Sequence, residues 1–418
     1  MRSLSLESDV LVIGAGPAGS ASAALLRRAG FTVTVLERER FPRFVIGESL
    51  LPRCMDVLHE AGLLDAAAAR GYLVKRGARF VRGPDVCDFD FADTHTPGWG
   101  WTWQVPRADF DSALAEAAQR IGVAVHFERE VLAVRLGDGA QELDVRDAGG
   151  ALATYRARWI IDASGYGRVL PRLLALDCPS GQPHRRALFC HLSGDRRPPG
   201  PDEGRIWICV HPAHGVWLWV IPFSNGLTSV GAVGPEEFWR DHWDESDLEA
   251  TLRRVIAGEP NVHARLADTQ LAAPLRVLRG YSAAVRQLHG PGYCLVGNAT
   301  EFLDPIFSSG VTLALESASL AARALIRQLR GERPDWQAEY VAPLSRGIDV
   351  FRTFVGAWYD GTLETIIFSK EIRPDLRRQI CAVLAGYVWD QTNPFVARHA
   401  HRVPQLARIL ARDPALTA

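Results

Sequence analysis

A glycine-rich loop near the N-terminus limits, more than any other feature, what this chain of 418 residues can fold into. The loop Gly14-Ala15-Gly16-Pro17-Ala18-Gly19 follows an apolar stretch, precedes an Ala- and Leu-rich segment and is followed by Glu37 at the end of the next apolar stretch. In this order, backbone amides can approach a pyrophosphate and the carboxylate can accept hydrogen bonds from a ribose. The spacing therefore predicts a βαβ unit that binds a dinucleotide through Gly14, Gly16, Ala18, Gly19, Glu37 and Arg38.

Two later segments return to the same predicted sheet. One buried strand ends in Asp162-Ala163-Ser164-Gly165, and another, Tyr293-Cys294-Leu295-Val296-Gly297, leads into Asn298. Small residues at such strand ends can approach a flavin, and an amide side chain can hydrogen-bond its ribitol. We find no second GxGxxG with its own βαβ unit for NAD(P)H. We therefore expect the dinucleotide to be FAD, bound in part by Asp162, Ala163, Gly165 and Asn298.

These segments resemble the cofactor motifs of the structural class that contains glutathione reductase and p-hydroxybenzoate hydroxylase. The resemblance implies an α/β FAD fold with a second, substrate-side β-sheet and a helical C-terminal cap. It places Arg107 near the isoalloxazine and Val131 near the adenine, and it adds Ser49, Pro305, Gly310 and Val311 to the cofactor site. That class usually has Gly-Asp where this chain has Gly297-Asn298, so we expect the flavin to be held more loosely.

The pattern of helices and strands predicts three regions. We expect a discontinuous FAD-binding domain at residues 1–72, 105–170 and 285–330, and a substrate domain with the second sheet at 73–104 and 171–284. Residues 331–418 are expected to form the helical cap. Within the cap, Phe351, Phe354 and Trp358 are spaced to share one helix face, which predicts a buried core surface.

Trp217-Leu218-Trp219-Val220-Ile221-Pro222 spells WxWxIP, and here the sequence is similar to the flavin-dependent halogenases. Tryptophans two positions apart lie on the same side of a strand and form a bulky wall, which simple core packing would also explain. The resemblance implies a wall that keeps the organic substrate away from the flavin, so that a halide is oxidised there instead. The wall is expected to comprise Trp217, Trp219, Ile221, Pro222 and Phe307.

A second match is FxxPxxSxG between Phe302 and Gly310. The backbone amides of Ser309 and Gly310, at the start of a long helix, can bind an anion, and the resemblance makes that anion chloride or bromide. A helix N-cap is the alternative. Halogenases that act on free tryptophan carry a glutamate where this chain has Phe307, so the chain looks closer to the branch that acts on phenols, pyrroles and carrier-bound acyl groups.

The third match is Lys75, five residues before Phe80, where the halogenases carry their essential lysine. An amine can hold hypohalous acid as a haloamine or by a hydrogen bond, whereas a guanidinium stays protonated. Of the 47 basic residues, only Lys75 and Lys370 are lysines, so a chance lysine at this position is improbable. We expect Lys75 to be the catalytic residue.

Together these motifs predict an FADH2-dependent halogenase. The expected enzyme uses O2 and chloride or bromide to halogenate an electron-rich aromatic, free or carrier-tethered, through a flavin hydroperoxide and hypohalous acid relayed by Lys75. A separate flavin reductase would supply FADH2. Two alternatives stay open: an NADPH-dependent aromatic monooxygenase or geranylgeranyl-reductase-type oxidoreductase, and a non-catalytic flavin-binding protein of a biosynthetic complex.

Composition argues against other classes of partner. The formal net charge of −1 gives no global field for nucleic acid or an anionic membrane. Seven scattered cysteines without a CxxC pair fit a reducing cytoplasm, and no stretch predicts a signal peptide or a membrane span. His211, His214, His399 and His401 lack a convincing third ligand, so no metal is expected.

Overall fold

The computed structural model describes residues 5–280 and 283–412. The strands are β1 Ser5–Ile13, β2 Val33–Leu36, β3 Leu73–Lys75, β4 Gly77–Arg82, β5 Asp85–Asp90, β6 Thr102–Gln104, β7 Ala124–His126, β8 Arg129–Leu136, β9 Gln141–Asp147, β10 Leu152–Asp162, β11 Asp177–Cys178, β12 Arg185–Ser193, β13 Ile206–Val210, β14 Trp217–Pro222, β15 Thr228–Pro235, β16 Gln270–Leu271, β17 Arg276–Arg279, β18 Ala284–Val285, β19 His289–Gly290 and β20 Tyr293–Leu295.

The helices follow in the same chain order. They are α1 Pro17–Arg28, α2 Arg53–Ala61, α3 Leu64–Ala68, α4 Arg107–Arg120, α5 Val169–Leu173, α6 Glu236–His242, α7 Leu248–Ala257, α8 Pro260–Leu266, α9 Ser309–Leu329, α10 Ala342–Tyr359, α11 Thr362–Ile367, α12 Pro374–Leu384, α13 Pro394–Ala397 and α14 His399–Arg412. In the described part of the chain, no helix combines the length and the apolar character needed to cross a lipid bilayer.

The first sheet contains the predicted βαβ unit. Its parallel core has the strand order β20-β10-β1-β2-β7, so both later segments do return beside β1. The apolar run from Phe31 to Leu36 predicts a strand of that length, but the strand after α1 begins two residues later, at Val33. Gly30 has a φ of +100°, and the Phe31 amide donates back to the Leu26 carbonyl, because these residues close the end of α1. Helix α9 packs on α1 through small side chains of both helices.

The second sheet has the order β16-β12-β15-β14-β13-β4-β5, mostly antiparallel. Strand β14 lies in its middle and is buried on both faces. Because side chains alternate along a strand, Trp217 and Trp219 face the large core shared with the first sheet. Leu218 and Val220 instead face a smaller core beneath α6, α7 and α8. This sheet therefore presents its aromatic face to the first sheet.

Helices α10 to α14 form the C-terminal cap. Phe351, Phe354 and Trp358 on α10 are all buried, which confirms the predicted core face. The rings of Phe354 and Trp358 meet Phe307 edge-on, with centroids 6.3 Å apart in each pair. The α/β architecture with a second sheet and a helical cap is thus confirmed, and the cap packs directly on the segment before α9.

Candidate functional site

A long cavity lies between the two sheets. It runs from the ends of β2 and β8, past the glycine loop, to the aromatic face of β14. The following predicted site residues line it: Gly14, Gly16, Ala18, Glu37, Arg38, Ser49, Arg107, Val131, Ala163, Gly165, Asn298, Pro305, Gly310, Val311, Trp217, Trp219 and Ile221. The predicted residues Gly19, Lys75, Asp162, Pro222, Phe307 and Ser309 do not line it.

The glycine loop needs its glycines for steric reasons. Gly14 has a φ of +96°, and a Cβ at that position would lie 2.6 Å from the Ala163 carbonyl oxygen. A Cβ on Gly19 would lie 1.9 Å from the Gly14 carbonyl oxygen, so Gly19 lets α1 pack tightly on the loop without facing the cavity. No side chain caps the N-terminus of α1, and its first turn holds no acidic residue. The helix therefore presents an anion-binding end to the cavity.

Polar groups surround the far end of the cavity. Glu37 Oε2 accepts from the Ala15 amide at 2.9 Å, and each carboxylate oxygen has more than one lone pair, so a ribose hydroxyl can still donate to it. Arg43 lies beside Gly16 and hydrogen-bonds Asp111 at 3.1 Å. This guanidinium also lines the cavity, where it suits a pyrophosphate. Sequence reasoning missed Arg43 because no fixed spacing from the glycine loop marks it.

Arg107 holds the loop that passes over the cavity. Its Nη1 donates to the carbonyl oxygens of Ile46 and Gly47 at 3.1 and 3.2 Å, and its Nε donates to Asp111 at 2.7 Å. Gly47 has a φ of +108°, which favours glycine. Arg107 is therefore fixed in place by the fold, beside the loop that lines the cavity.

Asp162 has a structural position rather than a place on the cavity wall. It is fully buried, and its carboxylate accepts from the backbone amides of Ser164 at 2.8 Å and Leu170 at 2.6 Å. These bonds shape the turn that brings Ala163 and Gly165 to the cavity. Asn298 does line the cavity, and its backbone carbonyl accepts from Arg168 at 3.1 Å.

Lys75 is buried next to the cavity, on the short sheet formed by β3 and β6. Its Nζ donates to Ser49 Oγ and to the Leu50 carbonyl oxygen, each at 2.8 Å. Among the described residues, no carboxylate forms an ion pair with it, and burial lowers its pKa from 10.5 to about 7. Ser49 lines the cavity and so connects the lysine to it.

The tryptophan wall is held by both indole nitrogens. The two rings lie 5.9 Å apart, and Trp219 Nε1 donates to Ser229 Oγ at 3.1 Å. Gly231 lies opposite Trp219 on β15, where a Cβ would come within 2.2 Å of the indole. Pro222 pairs with Thr228 at the strand end and lies off the cavity. The position of Trp219 therefore requires a glycine at position 231, which the WxWxIP motif alone does not reveal.

Trp217 connects the wall to the cap. Its Nε1 donates to the Tyr359 hydroxyl at 2.9 Å, and that hydroxyl donates to Asp304 Oδ2 at 2.8 Å. Tyr359 ends α10, so a cap residue helps to position the wall. Phe307 is 4% exposed and packs into the cap rather than against the cavity, because the turn before α9 points its ring toward α10. Sequence reasoning missed Tyr359, since 142 residues separate it from Trp217.

The start of α9 faces the cavity. Ser308 has a φ of +56°, no side chain caps the helix, and its first turn contains no acidic residue. Ser308, Gly310 and Val311 line the cavity, whereas Ser309 is 2% exposed and does not. The helix N-terminus therefore offers a place for an anion beside Gly310.

The shape and polarity of this cavity fit FAD. One end has carboxylate and arginine groups for a nucleoside diphosphate, the middle is a glycine cradle that a Cβ would fill, and the other end has an aromatic wall. Comparison with known proteins agrees. A family model described as an FAD binding domain matches residues 7–340. The chain therefore belongs to this FAD-binding family and is an FAD-dependent oxidoreductase.

Curated relatives define the branch of that family. The flavin-dependent halogenase gsfI of Penicillium aethiopicum is 30% identical, over 83% of this chain and 70% of the relative. The 1H-pyrrole-2-carbonyl peptidyl-carrier protein chlorinase of Pseudomonas fluorescens is 28% identical, over 91% of this chain and 89% of the relative. The chain is a member of the flavin-dependent halogenases.

A solved structure is also similar over nearly the whole chain. The crystal structure of a flavoprotein/dehydrogenase from Cytophaga hutchinsonii matches with a TM-score of 0.93 and 48% identity, covering 96% of this chain and 98% of that one. The shared fold therefore includes the FAD-binding sheet, the second sheet and the cap.

Proposed function

We propose that Lys75 relays oxidised halogen from the FAD cavity to an electron-rich aromatic substrate. The observation that carries this proposal is a buried amine that has two hydrogen-bond acceptors and no carboxylate partner among the described residues. Bound reduced FAD, with O2, supplies the oxidation of chloride or bromide to hypohalous acid.

The surroundings of Lys75 suit a neutral amine. A neutral amine has two N–H donors and one lone pair, whereas an ammonium has three donors. Ser49 Oγ and the Leu50 carbonyl satisfy two donors, which leaves the lone pair free. That lone pair can attack the halogen of hypohalous acid. The nitrogen–halogen bond then forms as the oxygen–halogen bond breaks, and the departing hydroxide takes an amine proton to become water. A hydrogen bond from the amine would be a non-covalent alternative.

Other groups have supporting roles in this proposal. Gly310, at the N-terminus of α9, supports a halide site that opens on the cavity. Trp217 and Trp219 separate the flavin cavity from the aromatic substrate. The cofactor residues that line the cavity hold FAD, while Asp162 and Gly19 support them from behind. We assign FAD binding to residues 1–72, 105–170 and 285–330, substrate binding to 73–104 and 171–284, and the cap to 331–418.

We infer a substrate of the phenol, pyrrole or carrier-tethered acyl type. Phe307 stands where free-tryptophan halogenases carry a glutamate, and its ring is packed against Phe354 and Trp358. One relative is described as acting on a pyrrole carried by a peptidyl-carrier protein. We further propose that a separate reductase supplies FADH2 and that the enzyme acts in the cytoplasm, which suits its seven free cysteines.

One experiment tests the role of Lys75. The protein is combined with a flavin reductase, NADH, FAD, O2 and chloride or bromide, and offered indoles, phenols, pyrroles and a carrier-tethered pyrrole, with products measured by mass spectrometry. Lys75→Ala should abolish halogenated product and leave FAD binding intact. Lys370→Ala is the matched control, because Lys370 is the other lysine and is exposed. Normal halogenation by Lys75→Ala would contradict the proposal.

A second candidate function is that of an NAD(P)H-dependent flavin oxidoreductase, which the 48% identity to a flavoprotein/dehydrogenase favours. This candidate predicts NAD(P)H-supported reduction or hydroxylation of an organic acceptor without halide and without a separate reductase. Halide-dependent product that requires the reductase would exclude it. A non-catalytic role would instead leave supplied reduced flavin without any halogenated product.

A further inference from the structure

The cavity wall contains a buried acid–base pair that the proposed function leaves unused. We propose that Glu48 and His191 form a proton-transfer pair for the chemistry in the flavin cavity. The inference deepens the proposed function and rests on it. It follows from the contacts of the pair, from an unpaired oxygen and from the proton balance of halogenation.

The contact between Glu48 and His191 joins the loop that lines the cavity to the second sheet. Glu48 lies in the loop that Arg107 holds over the cavity, and His191 lies on β12 of the second sheet. Glu48 Oε1 is 2.7 Å from His191 Nε2. Glu48 is 1% exposed and lines the cavity, and the His191 side chain is 13% exposed. A carboxylate removed from water in this way needs a charged or polar partner, which the imidazole supplies.

The second carboxylate oxygen indicates a ligand. Glu48 Oε2 is buried and has no hydrogen-bond partner within the described residues. An unpaired buried carboxylate oxygen has lost its hydration without a replacement, so such an atom is rarely left unpaired. Because Glu48 lines the cavity, a group bound in that cavity is the available partner.

The pair is held rigidly. The Glu48 carbonyl accepts from the Val105 amide at 2.8 Å, which fixes the backbone of the loop. The imidazole of His191 lies between the rings of Phe44 and Phe223, at centroid distances of 5.5 and 5.3 Å. These apolar rings restrict the imidazole and leave the carboxylate as its polar partner.

A positive group lies near the pair. The Arg107 guanidinium, which holds the adjacent Gly47 carbonyl, interacts electrostatically with Glu48. In our proposal the exchangeable proton lies on the hydrogen bond between His191 Nε2 and Glu48 Oε1. The proton can pass from Nε2 to Glu48 along the existing hydrogen bond.

Halogenation needs such a proton. The overall reaction joins FADH2, O2, a halide ion, the arene and one proton, and it yields FAD, the halogenated arene and two water molecules. One proton must therefore reach an oxygen atom in the cavity in each turnover. In our proposal His191 gives its Nε2 proton to Glu48, the carboxyl group gives a proton to that oxygen, and His191 regains a proton from water.

The test uses Glu48→Gln, which keeps the size of the side chain and removes its acid–base function. Halogenation turnover should fall about tenfold or more, as expected when a general acid is lost. FAD affinity should change much less. Glu237→Gln on the exposed part of α6 is the control. His191→Gln is a second variant that should reproduce the loss, with thermal unfolding measured for both to check the fold.

A second readout does not depend on turnover. In protein labelled at histidine, NMR should show that oxidised FAD changes the chemical shifts of the His191 imidazole in the wild type, and that Glu48→Gln changes them as well, because each alters the surroundings of the hydrogen bond to His191 Nε2. Wild-type turnover in Glu48→Gln, or His191 chemical shifts insensitive to both FAD and Glu48→Gln, would overturn the inference. If the wild type makes no halogenated product, the proposed function fails instead, and the NMR chemical shifts alone decide the pair.

Discussion

Lys75 illustrates how burial sets the chemistry of a single residue. The same side chain on the surface would be an ammonium, and here desolvation brings its pKa to about 7. Arginine cannot take this role because its guanidinium stays charged. We therefore expect Lys75→Arg to bind FAD and give no halogenated product by mass spectrometry. Product formed at the wild-type rate would show that the amine lone pair is not needed.

The same shift predicts a pH-dependent stability. Between pH 7 and 10.5 the unfolded chain binds a proton on Lys75 that the folded chain lacks, so this group makes the protein more stable as pH rises. Lys75→Met removes the effect. The unfolding free energy of Lys75→Met minus that of the wild type should decrease by about 2 kcal/mol between pH 7 and pH 9. Urea unfolding at both pH values measures this difference. An unchanged difference would mean that the pKa of Lys75 is not lowered.

At the scale of elements, the wall depends on the pairing of β14 with β15. Gly231→Ala places a Cβ against the Trp219 indole and should push the ring out of position, at a cost of about 1–3 kcal/mol in stability. The amount of halogenated product per reduced flavin consumed should fall. Val230→Ala, on the opposite face of β15, is the control: it should lose stability and keep this yield. Equal yields in the two variants would argue against a wall.

The link between α10 and β14 gives another prediction at this scale. Tyr359→Phe removes the hydroxyl that joins Trp217 to Asp304 and leaves the buried Trp217 Nε1 without this acceptor. The free energy of unfolding should fall by about 1–3 kcal/mol, and the tryptophan fluorescence should change. Tyr155→Phe loses a hydrogen bond to His126 in the first sheet, and among the described residues its ring contact is with that histidine, so its fluorescence change should be smaller.

For the whole molecule, FAD binding should couple to folding, because FAD binds the folded cavity and not the unfolded chain. Added FAD should raise the thermal unfolding midpoint of the wild type. Gly14→Ala should abolish that rise, since its Cβ would meet the Ala163 carbonyl. Gly30→Ala has a similar positive φ, but no atom of the described residues lies within 4 Å of its Cβ, so it shares the strain and should keep the FAD effect. If FAD still raised the unfolding midpoint of Gly14→Ala, the proposed role of Gly14 in FAD binding would be contradicted.

Features that depend on residues close together in the chain could be predicted from the sequence. The βαβ unit follows from a local order of strand, glycines and helix, and the shared face of Trp217, Trp219 and Ile221 follows from the period of two along a strand. Family resemblance added Lys75 and the start of α9. It also added Phe307 to the wall, although that ring packs into the cap.

Contacts between distant segments were decided by the tertiary structure alone. The acceptors of Lys75, the approach of Arg43 to the glycine loop and the Glu48–His191 pair join residues that are 25 to 143 positions apart. No periodicity encodes such pairs, because they form where the two sheets and the cap pack together. The sequence by itself therefore determined that a dinucleotide binds to a βαβ unit. The packing determined which amine has a lowered pKa and which carboxylate faces the cavity, since burial depends on contacts between distant segments.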